Sequence, residues 1–455
     1  MPLSSVVWQI STLAFFSICG VWIRLGVLNL FDFANTDVFP LALVQLLGCL
    51  VMGFIRKLKT VQARANDERH YVEQLRRERI VGAAANGANE NDHADGHSGT
   101  CNARNWHSFE YHLTHHPYLF TGIATGLCGS ITTFSSWQLD IFQTAFRIPT
   151  RLPTTTSAID LEQARLPPTH FDSLLASFNN IVVTWCVAIA GFWFGSHVAR
   201  AWLALRRWRL HCARVEYMRG IDVGSTTEAA PATRFPPLNS GSPQSSRGKR
   251  AVQILAWTIA GLGLFGWIGV IVGTSLKFHW RNYNFAACFA PLGTLIRYGL
   301  ARFNHLSTSS SPPTYTATAP PSSRVRRWVR QLRSLVFPWG TFTANILGTA
   351  ILAVLFILGR NVFRINAAAA AQEDQYRTHA FCQFRQALID GLCGCLTTIS
   401  TLVVEVAVLL PSLRLSYIYA LASLLVAQIF MVFIAGFYEW FAQPDTRVGY
   451  LNCTL

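Results

Sequence analysis

Apolar residues in this chain come in long unbroken runs, and the polar positions collect between them. Nine runs are long enough to cross a bilayer, near Val6–Leu28, Val38–Ile55, Tyr118–Phe142, Ala176–Val198, Val252–Ser275, Asn284–Arg302, Phe337–Leu358, Phe381–Leu410 and Tyr417–Trp440. A hydrocarbon core of about 30 Å takes about 20 helical residues. The pattern therefore predicts an all-α membrane protein with nine transmembrane helices. The first run contains Arg24 and still has spanning length, so it reads as a retained helix rather than a cleaved signal.

Composition agrees with lipid as the solvent, since 51% of the residues are hydrophobic and only 13% charged, against about 25% in soluble domains. The net charge of +15 raises nucleic acid as a partner. However, the Arg and Lys residues sit in blocks between apolar runs, which is the mark of cytoplasmic loops, so nucleic acid is set aside. The blocks run from Arg56 to Arg79 after the second run, Arg206 to Arg250 after the fourth and Arg324 to Arg333 after the sixth. By contrast, the turn Asn29–Asp37 has no Lys or Arg. The amino terminus is thus expected inside and the carboxyl terminus outside. Asn452-Cys-Thr454 fits a glycosylation sequon on that outer side.

Gly82–Thr100, Gly224–Ser246 and Ser307–Ser323 are rich in small and polar residues and are expected to be disordered tethers. The eleven Cys residues form no zinc-type spacing, so no metal framework is expected. Nor does any nucleophile–base or metal-ligand arrangement suggest an enzyme.

The chain repeats itself. Gly126-Leu-Cys-Gly129-Ser-Ile-Thr132-Thr133-Phe134-Ser135 returns as Gly391-Leu-Cys-Gly394-Cys-Leu-Thr397-Thr398-Ile399-Ser400, each followed by an acid, Asp140 or Glu405. Gly20-Val-Trp-Ile-Arg24-Leu-Gly26 matches Gly293-Thr-Leu-Ile-Arg297-Tyr-Gly299, and Gln45-Leu-Leu-Gly48 matches Asn345-Ile-Leu-Gly348. Three motifs in one order define two four-helix repeats. The expected organisation is a first repeat over residues 1–200, a basic cytoplasmic loop over 201–250, a linker helix over 251–276 and a second repeat over 284–441. An odd number of crossings separates the copies, so the second is expected to lie inverted. Inverted repeats place a binding or conduction site at their interface, often where helices break.

Several residues carry candidate chemistry, each with two readings open. The Gly and Thr of the repeated motif lower helix propensity. They either break the helix, freeing carbonyls suited to a hard cation such as Na⁺, or let helices cross closely. Arg24 and Arg297 either face a water-filled vestibule and attract an anion or snorkel to the interface. Asn345 is an amide for an anion or for a neighbouring helix. Tyr419 and Ser423, one helical turn apart, extend a polar track, and Phe134 and Trp137 offer aromatic edges to an anion or simply pack.

Together these residues resemble the Fluc family of fluoride channels in its eukaryotic exporter form. Gly126-x-x-Gly129-x-x-Thr132-Thr133-Phe134-Ser135 is similar to the family's Gly-x-x-Gly-Gly-x-Thr-Thr-Phe-Ser-Thr-Phe signature. Gly340-Thr-Phe-Thr-Ala-Asn345 resembles its Gly-Thr-x-x-x-Asn motif, and Gly293-x-x-x-Arg297-Tyr its Arg motif. The resemblance implies passive, selective F⁻ export by a single chain acting as an internal pseudo-dimer, with the plasma membrane as the expected location. It further implies a structural Na⁺ held by carbonyls of Gly129, Thr132, Gly394 and Thr397. The F⁻ path would be lined by Asn345, Phe134, Trp137, Tyr419 and Ser423.

The departures from the signature fall unevenly. Gln45 stands where Asn is expected in the first repeat, Ile399 and Leu402 replace both phenylalanines in the second, and Asn180 matches Tyr419. One working pore and one degenerate pore are therefore expected. Rival readings are a Na⁺- or H⁺-coupled transporter and a non-transporting membrane scaffold.

Overall fold

The computed structural model describes residues 3–34, 41–61, 116–148, 169–224, 243–276, 281–306, 337–367 and 372–441, and every regular element among them is helical. Helix α1 (Leu3–Ala34) and α2 (Leu41–Val61) come first. Helix α3 (Pro117–Thr121) widens into a π-helical stretch, Gly122–Cys128, and ends in a single turn, Gly129–Ile131. Thr132 is extended, and the helix resumes as α4 (Ser135–Ala145). Next come α5 (His170–Gly224), α6 (Pro243–Leu276), α7 (Arg281–Leu306) and α8 (Trp339–Ala367). Helix α9 (Gln372–Ala387) repeats the α3 pattern, with a π stretch at Leu388–Cys393, a turn at Gly394–Leu396 and an extended Thr397. It is followed by α10 (Ser400–Leu409) and α11 (Leu413–Met431), which runs on to Phe441.

Among the described residues, seven helical stretches are long and apolar enough to cross a membrane: Ser5–Leu30, Leu41–Val61, His170–Leu205, Arg250–Ser275, Trp339–Gly359, Ala380–Leu409 and Leu413–Phe441. The other two predicted spans are helical but less apolar. The α3–α4 stretch is rich in Gly, Ser and Thr, and α7 carries Pro291, Arg297 and Arg302.

The fourth helix is longer than its apolar run. Thr169 and Asp172 start it by capping each other, Thr169 N donating to the Asp172 carboxylate and Asp172 N to Thr169 Oγ1, both at 3.1 Å. At its other end, residues 201–224, expected as the start of a basic loop, continue the helix to Gly224. That segment holds Ala, Leu, Arg and Met, good helix formers, and its last residue is glycine. The expected tethers at 82–100 and 307–323, most of 224–246 and the sequon at Asn452 lie outside the described residues.

A seam of buried polar residues runs through an apolar core, and the outer face is apolar as well. Ser130, Thr132, Thr133, Ser135, Gln138, Thr294, Asn345, Thr397, Thr398 and Ser400 are buried, while Phe171, Phe178, Ile254, Phe265 and Phe433 are exposed. An apolar surface of that extent needs lipid. Helix α6 lies against α1 and α7, with Trp257 on Trp8 (ring centroids 4.9 Å apart) and Trp267 Nε1 donating to Cys288 O at 2.9 Å.

Candidate functional site

The two broken helices meet at their breaks. The turn Gly129–Ile131 touches the turn Gly394–Leu396, and Thr132 Oγ1 lies 3.1 Å from Thr398 Oγ1. A helix that restarts in mid-bundle exposes fresh N–H groups that need partners. Neither α4 nor α10 has a side-chain cap from its own N-cap residue, Phe134 or Ile399. The opposite repeat supplies it. Thr397 Oγ1 accepts from Phe134 N and Ser135 N, each at 3.1 Å, and Thr132 Oγ1 accepts from Ser400 N at 3.3 Å. Each of these hydroxyls also donates to a carbonyl one turn back, Cys393 O or Cys128 O, at 3.0 Å. The repeated Thr is therefore a capping residue used in trans. Both readings of the motif are realised: the helix breaks at Thr132 and Thr397, and Gly126 and Gly391 lie where a Cβ would collide with Phe16 and with Ala286 O of neighbouring helices.

A second exchange surrounds the first. Arg297 of α7 donates through Nη2 to Thr125 O, and through Nη1 to Gly129 O at 2.9 Å and Thr397 O at 3.3 Å. Arg24 of α1 donates to Asp390 O, the position matching Thr125. Both first acceptors sit inside the π stretches, where widened turns alter the carbonyl pattern. The arginines are 1% and 3% exposed. Their guanidiniums lie in the seam between the repeats rather than in an open vestibule or at the lipid interface. The repeated glycines make the room. A Cβ on Gly129 would collide with the Arg297 guanidinium, and one on Gly394 with that of Arg24.

This arrangement bears on the implied Na⁺. Two of its four carbonyls, Gly129 O and Thr397 O, already accept from Arg297. An alkali ion about 4 Å from a guanidinium meets roughly 4 kcal/mol of repulsion at an effective dielectric of 20. The donor set does not fit a resident Na⁺ while Arg297 holds it.

The expected path residues fall around this hub. Helix α4, which follows Phe134 and carries Trp137, packs on α8 and α11. Phe134 of the first repeat thereby comes to the seam of Asn345, Tyr419 and Ser423 of the second, whereas Trp137, expected on the same path, turns to Asn180 of its own repeat. Asn345 is fully buried and clamps the second break, accepting from Thr398 N at 2.8 Å and donating to Thr398 O at 3.2 Å. Gln45, one methylene longer, reaches only Thr133 O at 2.6 Å, and its buried Oε1 has no partner among the described residues. Trp137 stacks edge-on to Phe134 at 5.8 Å and donates through Nε1 to Asn180 Oδ1 at 3.1 Å. The indole thus fills the space beside the first repeat's counterpart of Tyr419. Ser423 Oγ donates to Tyr419 O at 2.8 Å.

Two groups stand out beyond those singled out for the path. Glu405 gathers Thr341 Oγ1 and Tyr419 OH at 2.6 Å and Asn304 Nδ2 at 2.9 Å, tying α7, α8, α10 and α11 together. Its repetition with Asp140 was a visible signal. Gln428 Nε2 donates to Gln138 Oε1 at 2.7 Å, and Gln138 Nε2, wholly buried, has no partner among the described residues. A lone Gln in an apolar run gave no comparable signal. Among the described residues, no group of His, Cys, Asp and Glu is arranged to hold a metal ion.

An all-helical bundle with a buried polar seam, an apolar exterior and two interlocked repeats is an integral membrane protein of the internally duplicated kind. A family profile described as CrcB-like protein, Camphor Resistance (CrcB), matches it twice, at residues 11–149 and 284–437. The chain belongs to that family. It is 26% identical over 458 residues to a Neurospora crassa protein named fluoride export protein 1, covering 96% of this chain and 68% of the relative. A Candida albicans protein of the same name is 26% identical over 329 residues, covering 72% of this chain and 63% of the relative. This chain thus spans about two thirds of these relatives' lengths. No solved structure matches it.

Proposed function

We propose that this chain is a passive, fluoride-selective channel that carries F⁻ out of the cytoplasm. The family places it among transport proteins rather than enzymes, and two relatives bear the name of fluoride exporters. The observation that carries the reading is the seam where α4 of one repeat packs on α8 and α11 of the other. It offers an anion what water offers, hydrogen-bond donors, and little else. The second N–H of Asn345, the open Nε2 of Gln138 and the edge of Phe134 are the groups available to F⁻. Glu405 holds the Tyr419 ring in place through its hydroxyl.

The finer architecture follows from the same reading. The chain crosses the membrane nine times, with its repeats inverted about the junction and α6 as the odd crossing. Its amino terminus is cytoplasmic, its carboxyl terminus is outside, and the membrane is the plasma membrane. One chain suffices, because each repeat already has its partner. The counterpart seam is degenerate: Trp137 fills it beside Asn180, Ile399 and Leu402 offer no aromatic edge, and Gln45 does not reproduce the Asn345 clamp. No observation favours a coupled transporter or a scaffold.

Asn345→Asp places a carboxylate in the working seam, whereas Gln45→Ala alters only the degenerate one. F⁻ efflux from proteoliposomes should fall by roughly tenfold or more in the first, as for an uncompensated charge, and stay near wild type in the second. Equal losses, or none from Asn345→Asp, contradict the assignment.

A further inference from the structure

We propose that Arg297, with Arg24 at the matching place, is itself the resident cation of the carbonyl junction, so that the repeats are joined by the chain's own guanidiniums and not by an alkali ion. The inference concerns assembly and does not depend on which anion passes.

Three observations carry it. The acceptors of Arg297 come from both broken helices, Thr125 O and Gly129 O on one and Thr397 O on the other, so a single side chain from α7 pins the two breaks together. Gly129 and Gly394, the second glycines of the repeated motif, are the seats of the two guanidiniums, since a side chain at either would displace the arginine from the other repeat. Finally, the partners found for both guanidiniums among the described residues are backbone carbonyls. A planar fork of five fixed donors suits carbonyls splayed along two helices, and it stays charged under all ordinary conditions. Of the two, Arg297 carries the junction. Among the described residues, Arg24 is bonded to Asp390 O alone, and its buried Nη1 has no partner.

The proposal explains why an arginine and a glycine recur together in both copies. Each pair is completed across the repeats, Arg24 with Gly394 and Arg297 with Gly129.

The test is thermal unfolding of the purified full chain in detergent, with Na⁺ titrated against N-methyl-D-glucamine at constant ionic strength. A bound ion raises the unfolding midpoint in a saturable way, and a resident side chain does not. The midpoint of the wild type should therefore be independent of Na⁺. Arg297→Met and Gly129→Ala should lower it by similar amounts, with no further loss when combined, because they remove one interaction from its two sides. Should Arg297→Met fail to fold, Arg297→Lys serves, and its midpoint should lie below wild type because the charge remains but the fork is lost. Three results would overturn the proposal: a saturable rise of the wild-type midpoint with Na⁺, a neutral Gly129→Ala, or an Arg297 variant as stable as wild type. A protein with a Na⁺-independent midpoint that fails to pass F⁻ would remove the transport reading and leave this one standing.

Discussion

A buried N–H at the start of a helix costs about 1–3 kcal/mol if it finds no acceptor, and for Phe134 and Ser135 the acceptor is a threonine 263 and 262 residues further along the chain. Thr397→Val keeps the shape and removes the oxygen. It should lower unfolding stability by about 1–3 kcal/mol. The reference is Thr401→Val, a partly buried neighbour outside the trans cap, which should change stability by less than about 0.5 kcal/mol. Denaturant unfolding of the two variants checks this, and equal stability would mean that Thr397 caps nothing of consequence. Much at this scale was legible in advance. The doubled Thr, Gly and Arg announce themselves by recurring. Their directions could not be read, because the groups that receive Arg24 and Arg297 are backbone carbonyls, which leave no side-chain pattern.

Helix α6 has no counterpart in the repeat and earns its place by packing. Gly263 brings it onto α1, where a Cβ would collide with Ser11 O, whereas Gly261 has open space around it. Gly263→Val should lower the unfolding midpoint by an amount corresponding to about 1–3 kcal/mol of overpacking, and Gly261→Val should be nearly neutral. A neutral Gly263→Val would mean that α6 does not need this contact. The extents of elements were harder to read than their existence. The basic cluster after Val198 reads as a loop by charge, yet the backbone follows propensity and stays helical to Gly224. The reverse holds at Thr132 and Thr397. Apolar runs pass straight through both, while the helix stops because a partner in the other repeat satisfies what the break exposes.

Across the whole molecule, the two repeats act as each other's missing half. Each contributes caps, an arginine and a glycine seat that only the other can complete, so neither is expected to fold as a separate bundle. At the two seams the repeats differ at Asn345 against Gln45, Tyr419 against Asn180, Phe134 against Ile399 and Trp137 against Leu402, and on the proposed reading these differences leave one seam to carry the anion. The proposed inversion makes a definite demand on topology. Epitopes fused to the two termini should report from opposite sides of the membrane, with the amino-terminal one reached by antibody only after permeabilisation. Two termini reached from the same side would exclude an odd number of crossings.

The anion path itself is best tested by loading proteoliposomes with KF and KCl and adding a K⁺ ionophore to release the counter-charge. F⁻ should then leave down its own gradient while Cl⁻ stays, with no imposed H⁺ or Na⁺ gradient. Fluoride that stays trapped, or that leaves only when another ion is driven across, would contradict a passive fluoride channel.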